Sequence, residues 1–359
     1  MKKLKRVLIM AGGTGGHIFP GLAVAHYLRE QGVDVHWLGT HHGLEARLVP
    51  EAKFPLHVVK VTGVRGKGVK TLLSAPFKVT QAIHQARKII KRFQPDIVIG
   101  FGGFVSGPGG IASWMLGCPL VIHEQNAKAG LTNRLLAQIA KRVLAGFPGA
   151  FPESDKVVVL GNPVRAEIEN IPAPQKRNIS VHSPFRLLVI GGSLGAQALN
   201  DVVPKALAAL PETSRPDVYH QSGDKLFEKA KIAYESIGIR VDLVPFVKDM
   251  AAAYEWADLV ICRAGALTVS ELCAAGVAAI LVPLPWAVDD HQSANAAYMT
   301  KHHAALCVKQ TELTGDRLAS IIRQYMEAPE QCLQMAEAAY RLRQVQVAEK
   351  IFGILMQII

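Results

Sequence analysis

Along the chain, short apolar runs alternate with stretches whose apolar positions recur every three or four residues. The runs fall at 7–11 (VLIMA), 33–39, 56–61, 96–102, 119–125 and 142–147, with helical spacing between them at segments such as 21–31 and 75–93. Runs this uniformly apolar, separated by helical segments, predict parallel strands covered by helices on both faces. A second series opens with FRLLVIGG at 185–192 and continues at 217–223, 240–246, 258–265 and 278–285. Both series run from their first strand into a glycine turn, VLIMAGGTGG in one and LLVIGGSLGA in the other. The pattern predicts an α/β chain of two Rossmann-like domains, 1–163 and 185–341, facing each other across a cleft. Pro172, Pro174 and Pro184 punctuate a polar stretch, 164–184, that reads as the linker. Val345, Ala348, Phe352, Leu355 and Met356 share helical spacing, so 342–359 is expected to form an amphipathic helix on a domain surface.

Composition narrows the class. A chain of 359 residues, 50% apolar and 19% charged, has material for two cores. Cys118, Cys262, Cys273, Cys307 and Cys332 are odd in number and form no C-x-x-C pair, which argues against a disulfide framework or a zinc site and suits a reducing cytoplasm. The first apolar run is too short for a secretory leader, and Arg263 and Glu271 interrupt the most apolar region, so neither a leader nor a membrane span is expected. Charge is segregated: residues 1–163 carry 21 Lys and Arg against 8 Asp and Glu, and the remainder 19 against 21. The asymmetry points to a polyanionic partner for the first half: nucleic acid, an anionic membrane or a phosphorylated substrate; the alternative, a solubilising charge, does not by itself explain the segregation.

Three glycine loops follow predicted strands: GGTGGH at 12–17, GFGGFVSGPGG at 100–110 and GGSLGAQALN at 191–200. Glycine lets backbone approach a ligand closely, and the helix that follows offers free amides to anionic or polar oxygens. Tight strand-to-helix turns also need glycine for geometry alone. A dinucleotide site is disfavoured, because the spacing is not G-x-G-x-x-G and the second strand ends at Gly39-Thr40 without an acidic residue for the ribose.

In order, GGTGGHIFPGLAVA, GFGGFVSGPGG, HEQNAKAGLTNR, GNPVR, GGSLGAQALN, CRAGALTVSELCAAG and DDHQSANA resemble the motifs of the MurG family across nearly the whole chain. That resemblance implies a GT-B fold and an inverting glycosyltransferase of peptidoglycan synthesis. The family moves N-acetylglucosamine from UDP-N-acetylglucosamine to the 4-hydroxyl of a lipid-linked muramyl pentapeptide, peripherally at the cytoplasmic face of the bacterial inner membrane. It implies no tightly bound cofactor, a divalent cation at most stimulating. The lack of an evident D-x-D pair agrees, although Asp289-Asp290 leaves the point open. Anionic membrane lipids and other cell-wall synthesis proteins are the further partners implied, and nucleic acid is not.

Carried over motif by motif, Thr14, Gly15 and Gly16 lie against the donor sugar and diphosphate, with Asn126 beside them. Arg165 and Ser193 hold diphosphate oxygens. Val247 meets uracil through its backbone, and Ala266, Leu267, Thr268, Val269 and Ser270 open the nucleotide-binding helix. Glu271 accepts from the ribose hydroxyls; alternatively, Thr268-x-x-Glu271 is a helix capping box. Gln292 and Asn295 recognise sugar hydroxyls, or with Asp290 and His291 simply form a polar helix face. His17 is the candidate base, at a helix N-terminus whose dipole disfavours the imidazolium. Its alternative is a structural histidine bonded to the loop. Glu124 is a second candidate, for proton transfer or for orienting the acceptor.

Residues 60–92 hold nine Lys or Arg and no Asp or Glu. Leu72, Leu73 and Phe77 among Lys67, Lys70 and Lys78 suit an anionic lipid surface, with Trp114 as an interfacial anchor. A core helix with a solvated basic face is the alternative, and no nucleic-acid module is evident. Two competing functions remain: another GT-B sugar-nucleotide enzyme, such as a UDP-N-acetylglucosamine epimerase that needs no lipid acceptor, or a non-catalytic sugar-nucleotide or lipid-binding protein. His17, Glu124 and Glu271 together speak against the second.

Overall fold

The computed structural model describes residues 3–61, 69–177, 184–192, 195–286 and 290–359, and over 69–75 the backbone alone. The chain divides into two units, Met1–Pro163 with Gln346–Ile359, and Val164–Val345.

The first unit opens with β1 (Arg6–Ala11), α1 (Gly15–Glu30), β2 (Asp34–Gly39), α2 (Glu45–Glu51) and β3 (Leu56–Val58). It continues with α3 (Val69–Phe93), β4 (Ile97–Gly102), α4 (Ser106–Met115), β5 (Leu120–Glu124), α5 (Leu131–Ile139), β6 (Arg142–Ala145) and β7 (Val157–Val159). The strands form one parallel sheet in the order β3-β2-β1-β4-β5-β6-β7. Side chains on β1 alternate between two cores: Val7, Ile9 and Ala11 pack with residues of α1, and Leu8 and Met10 pack with residues of α3 and α4. This period-two division is why the run is apolar throughout. Strand order reverses between β1 and β4, whose carboxyl ends carry the first two glycine loops, the place where open α/β sheets bind ligands. Register between these strands shifts at Met10/Ala11, just where the loops leave the sheet.

The second unit contains α6 (Ala166–Glu169), β8 (Arg186–Ile190), α7 (Gln197–Ala208), β9 (Asp217–Gln221), α8 (Phe227–Glu235), β10 (Asp242–Val244) and α9 (Met250–Trp256). β11 (Leu259–Cys262), α10 (Ala266–Ala275), β12 (Ala278–Leu281), α11 (His291–Thr300), β13 (Leu306–Cys307), α12 (Gly315–Glu327) and α13 (Pro329–Arg341) complete it. Its sheet is parallel in the order β10-β9-β8-β11-β12-β13. Leu187, Val189, Leu259, Ile261, Ala278 and Ile280 feed one face into a core with α7 and α12.

Two boundaries differ from the sequence pattern. Residues 164–177 belong to the second unit and are not a free linker, because the buried Arg177 guanidinium donates to the carbonyls of Tyr254 and Gly276 while Gln175 bonds Glu337 at 2.8 Å. The last helix, α14 (Val347–Ile358), starts later than expected, after Gln346 takes a left-handed φ of 56°. It returns to the first unit, where Val347, Ile351 and Leu355 are buried and the Phe352 ring lies 6.0 Å from Tyr27 on α1. Among the described residues no helix is long and apolar enough to cross a membrane.

Candidate active site

In the first unit the two glycine loops interlock. A Cβ on Gly103, at φ +83°, would stand 2.1 Å from the Gly12 carbonyl, and one on Gly102, at φ +107°, would stand 2.8 Å from the His17 ring. The imidazole thus rests on bare backbone that no other residue type could supply. Glu45, fully buried on α2, braces the first loop from outside. One of its oxygens accepts from the Gly13 N–H at 3.0 Å, the other from the Thr40 N–H and hydroxyl at 3.0 and 2.7 Å. Thr14 occupies the N-cap of α1 in extended conformation without a side-chain cap bond, and the first turn carries no acidic residue. The leading amides at Gly15 and Gly16 therefore stay available to an oxygen-rich ligand.

His17 is held by a chain of polar groups. Its Nδ1 lies 3.0 Å from Gln125 Oε1; Gln125 Nε2 lies 3.2 Å from the His123 carbonyl and 3.1 Å from His123 Nδ1; His123 Nε2 lies 3.0 Å from the Gly161 carbonyl. Burial pushes His123 down to about 4, so the ring is neutral near pH 7. Glu124 faces its own loop. Oε1 accepts from the Asn126 N–H and Nδ2 at 3.0 and 3.1 Å, and Oε2 from the Gly130 N–H and Asn133 Nδ2 at 3.2 and 2.9 Å. Four bonds engage the capacity of a carboxylate, so Glu124 acts here as the organiser of residues 125–133, the loop that carries Asn126.

In the second unit, α10 leaves β11 from Gly265, again with no side-chain cap and no acidic residue in its first turn. The leading amides at Ala266, Leu267 and Thr268 form the same kind of anion-seeking terminus. Thr268 is the third helical residue and Glu271 the sixth, so the pair is not a capping box. Glu271 points elsewhere: Oε1 accepts from Arg165 Nη2 at 3.1 Å, and Oε2 from the Tyr254 hydroxyl at 3.1 Å. Burial raises its carboxyl above the usual range, opposed by Arg165 and the two hydrogen bonds. Arg165 stands at the N-cap of α6. Val269 is fully buried in the packing of α10, leaving Leu267, Thr268 and Ser270 on its partly open side.

The remaining predicted residues divide by accessibility. Val247 is buried. Gln292 Oε1 accepts from the Leu284 N–H at 2.9 Å, and the fully buried Asn295 donates to the Ala264 carbonyl at 3.1 Å, so both tie α11 to the loops after β12 and β11. Ser193 and Lys67 lie outside the described residues, as do the side chains of Lys70, Leu72 and Leu73 in α3. Phe77 is 75% exposed, Trp114 59%, and Lys78 is exposed beside Phe77. Leu131 and Leu135, one turn apart on α5, are 54% and 58% exposed. Gln125, His123, Glu45 and Tyr254 escaped the sequence reading. The run of polar residues at the end of the buried β5 was the only signal for the first two, since polar groups sealed in a core need one another.

Paired parallel units with oxygen-seeking helix termini at their central strand ends, one bearing a histidine and the other an Arg–Glu pair, are the build of a GT-B sugar-nucleotide glycosyltransferase. Comparison with known proteins agrees. The Glycosyltransferase family 28 N-terminal domain matches residues 7–145, and the Glycosyltransferase family 28 C-terminal domain matches residues 186–351. The UDP-N-acetylglucosamine--N-acetylmuramyl-(pentapeptide) pyrophosphoryl-undecaprenol N-acetylglucosamine transferase of Alkalilimnicola ehrlichii is 54% identical over 351 residues, 98% of each chain. The enzyme of that name from Nitrosococcus oceani is 53% identical over 346 residues, 96% of each. The crystal structure of Acinetobacter baumannii MurG superposes with a TM-score of 0.85 at 41% identity, over 98% of this chain and 99% of that one. The chain belongs to glycosyltransferase family 28 and, within it, to the MurG family.

Proposed function

We propose that the chain moves N-acetylglucosamine from UDP-N-acetylglucosamine to the 4-hydroxyl of undecaprenyl-diphospho-N-acetylmuramoyl-pentapeptide, inverting the anomeric carbon. The observation that carries this reading is the end-to-end identity with transferases named for that reaction. The second unit holds the donor: the backbone at Val247 meets uracil, Glu271 accepts from the ribose, and Arg165 with the α10 amides holds the diphosphate. Arg165 exchanges one partner for another as UDP arrives, from the Glu271 carboxylate to phosphate oxygens. In the first unit His17 takes the proton of the acceptor hydroxyl while that oxygen attacks the anomeric carbon and the bond to UDP breaks. Negative charge developing on UDP is offset by Arg165 and the helix terminus, with no tightly bound metal required and a divalent cation at most stimulating.

The exposed Phe77, Trp114, Leu131 and Leu135, with the basic excess around α3, support docking on anionic lipid at the cytoplasmic face of the inner membrane. Transfer of radiolabel from UDP-N-acetylglucosamine to a synthetic lipid-linked muramyl pentapeptide tests the whole proposal. Label that stays on the nucleotide, or is released or epimerised without regard to the acceptor, contradicts it.

A further inference from the structure

The hydrogen-bond chain behind His17 dictates which ring nitrogen can act. The Gly161 carbonyl only accepts, so His123, neutral in its buried site, donates from Nε2 and keeps its lone pair on Nδ1. That lone pair and the His123 carbonyl are two acceptors, and both face Gln125 Nε2, which therefore donates. The amide orientation is thereby set, and Gln125 Oε1 is turned to His17 Nδ1 at 3.0 Å. An amide oxygen only accepts; His17 must carry its hydrogen on Nδ1. Among the described residues Nε2 of His17 has no hydrogen-bond partner. Gln125 is 1% exposed, and its own carbonyl accepts from Asn162 Nδ2 at 3.0 Å, so the brace sits in a fixed frame.

We propose that Gln125 is a positioning residue for the transfer: it fixes His17 as the Nδ1–H tautomer and so presents Nε2 as the nitrogen that takes the acceptor proton. This rests on His17 being the base. Free histidine prefers the opposite tautomer, with hydrogen on Nε2, which would turn the lone pair inward and leave the outward nitrogen unable to accept a proton. The brace has a second effect. When Nε2 takes the proton, Nδ1–H is already bonded to a carbonyl dipole, so the forming imidazolium needs no rearrangement. The arrangement parallels the carboxylate that orients a catalytic histidine in hydrolases, with a neutral amide in its place.

Nitrogen-15 spectra of the imidazole rings at a pH where His17 is neutral test the assignment directly. In the parent protein His17 should report Nδ1–H and His123 Nε2–H; the reverse for either ring overturns the proposal without any variant being made. Gln125→Met keeps the side-chain length and removes both amide functions. It should move His17 toward Nε2–H and lower kcat by tenfold or more, with the KM for UDP-N-acetylglucosamine near that of the parent. A folded Gln125→Met protein whose His17 stays Nδ1–H contradicts the brace. A switched tautomer with unchanged kcat overturns the base role of His17 and leaves the tautomer assignment standing.

Discussion

Arg165 and Glu271, 106 positions apart, meet at 3.1 Å between Nη2 and Oε1, while the hydroxyl of Tyr254 donates to the other oxygen of the same carboxylate. The arginine side chain is 47% exposed and the glutamate 17%. With the arginine half-exposed and the carboxylate mostly buried, the cost of desolvating Glu271 offsets much of the attraction, so the pair adds little net stability by itself. Its partners say more. Two residues expected to hold different parts of one nucleotide already occupy one site, and Tyr254 keeps the carboxylate in place from the buried side.

That geometry separates two substitutions of Glu271. Glu271→Ala strands the buried Tyr254 hydroxyl, which costs about 1–3 kcal/mol of fold stability, so any loss of affinity would be mixed with loss of fold. Glu271→Gln keeps an acceptor for Tyr254 and isolates the ligand role. Calorimetric titration should show UDP binding weakened about tenfold in Glu271→Gln, about 1.4 kcal/mol, with Tm near the parent value. Parental affinity in this variant would make Glu271 a brace for Tyr254 and Arg165 alone.

Glu124 should behave as a loop organiser. Its removal deprives two asparagine amides and two backbone N–H groups of their acceptor, so Glu124→Ala is expected to lose about 3 kcal/mol or more by denaturant unfolding. A stable Glu124→Gln protein whose kcat falls as far as that of His17→Ala would instead place proton transfer on Glu124.

Acid should loosen both units. Buried His123 and His220 are pushed down to about 4 and about 3, whereas both titrate near 6.5 when unfolded. Between those values the unfolded chain binds protons that the folded chain refuses. The stability is full above about 6.5 and falls as pH drops toward 4, by up to about 1.4 kcal/mol per pH unit for each histidine. Urea midpoints measured from pH 7 to 4.5 should decline over this window, and a flat profile would mean that the two rings take up protons in the fold.

Docking on lipid should depend on both kinds of side chain. Replacing Phe77 and Trp114 by serine, or neutralising Lys67, Lys70 and Lys78, should each reduce co-sedimentation with anionic vesicles. The charge effect should be largest at low salt, at about 1 kcal/mol for each lysine near the surface. Sedimentation insensitive to both sets would leave the basic excess of the first half without a role.

The sheets were legible because burial on both faces leaves a continuous apolar run, as at Val7–Ala11 and Leu187–Ile190. The edge strands β7 and β13 were not, since three and two residues give no periodicity to count. Pro172 and Pro174 suggested a linker, but Arg177 bonds two distant carbonyls, a contact no local pattern encodes. Thr268-x-x-Glu271 matched a capping box in letters, yet the helix begins at Ala266 and the carboxylate turns to Arg165 and Tyr254. His17 was visible from its glycine loop. Gln125 was hidden, because its part depends on the Gly161 carbonyl, brought within reach only by the fold.

Whether His17 removes the acceptor proton is decided by kcat measured beside UDP affinity in His17→Ala. The acceptor proton moves only in the transition state, so kcat should fall by about 10²- to 10⁴-fold while the Kd for UDP stays near the parental value. A variant that keeps its rate would rule His17 out as the base, and a loss of UDP affinity equal to the loss of rate would make His17 a shaper of the donor loop.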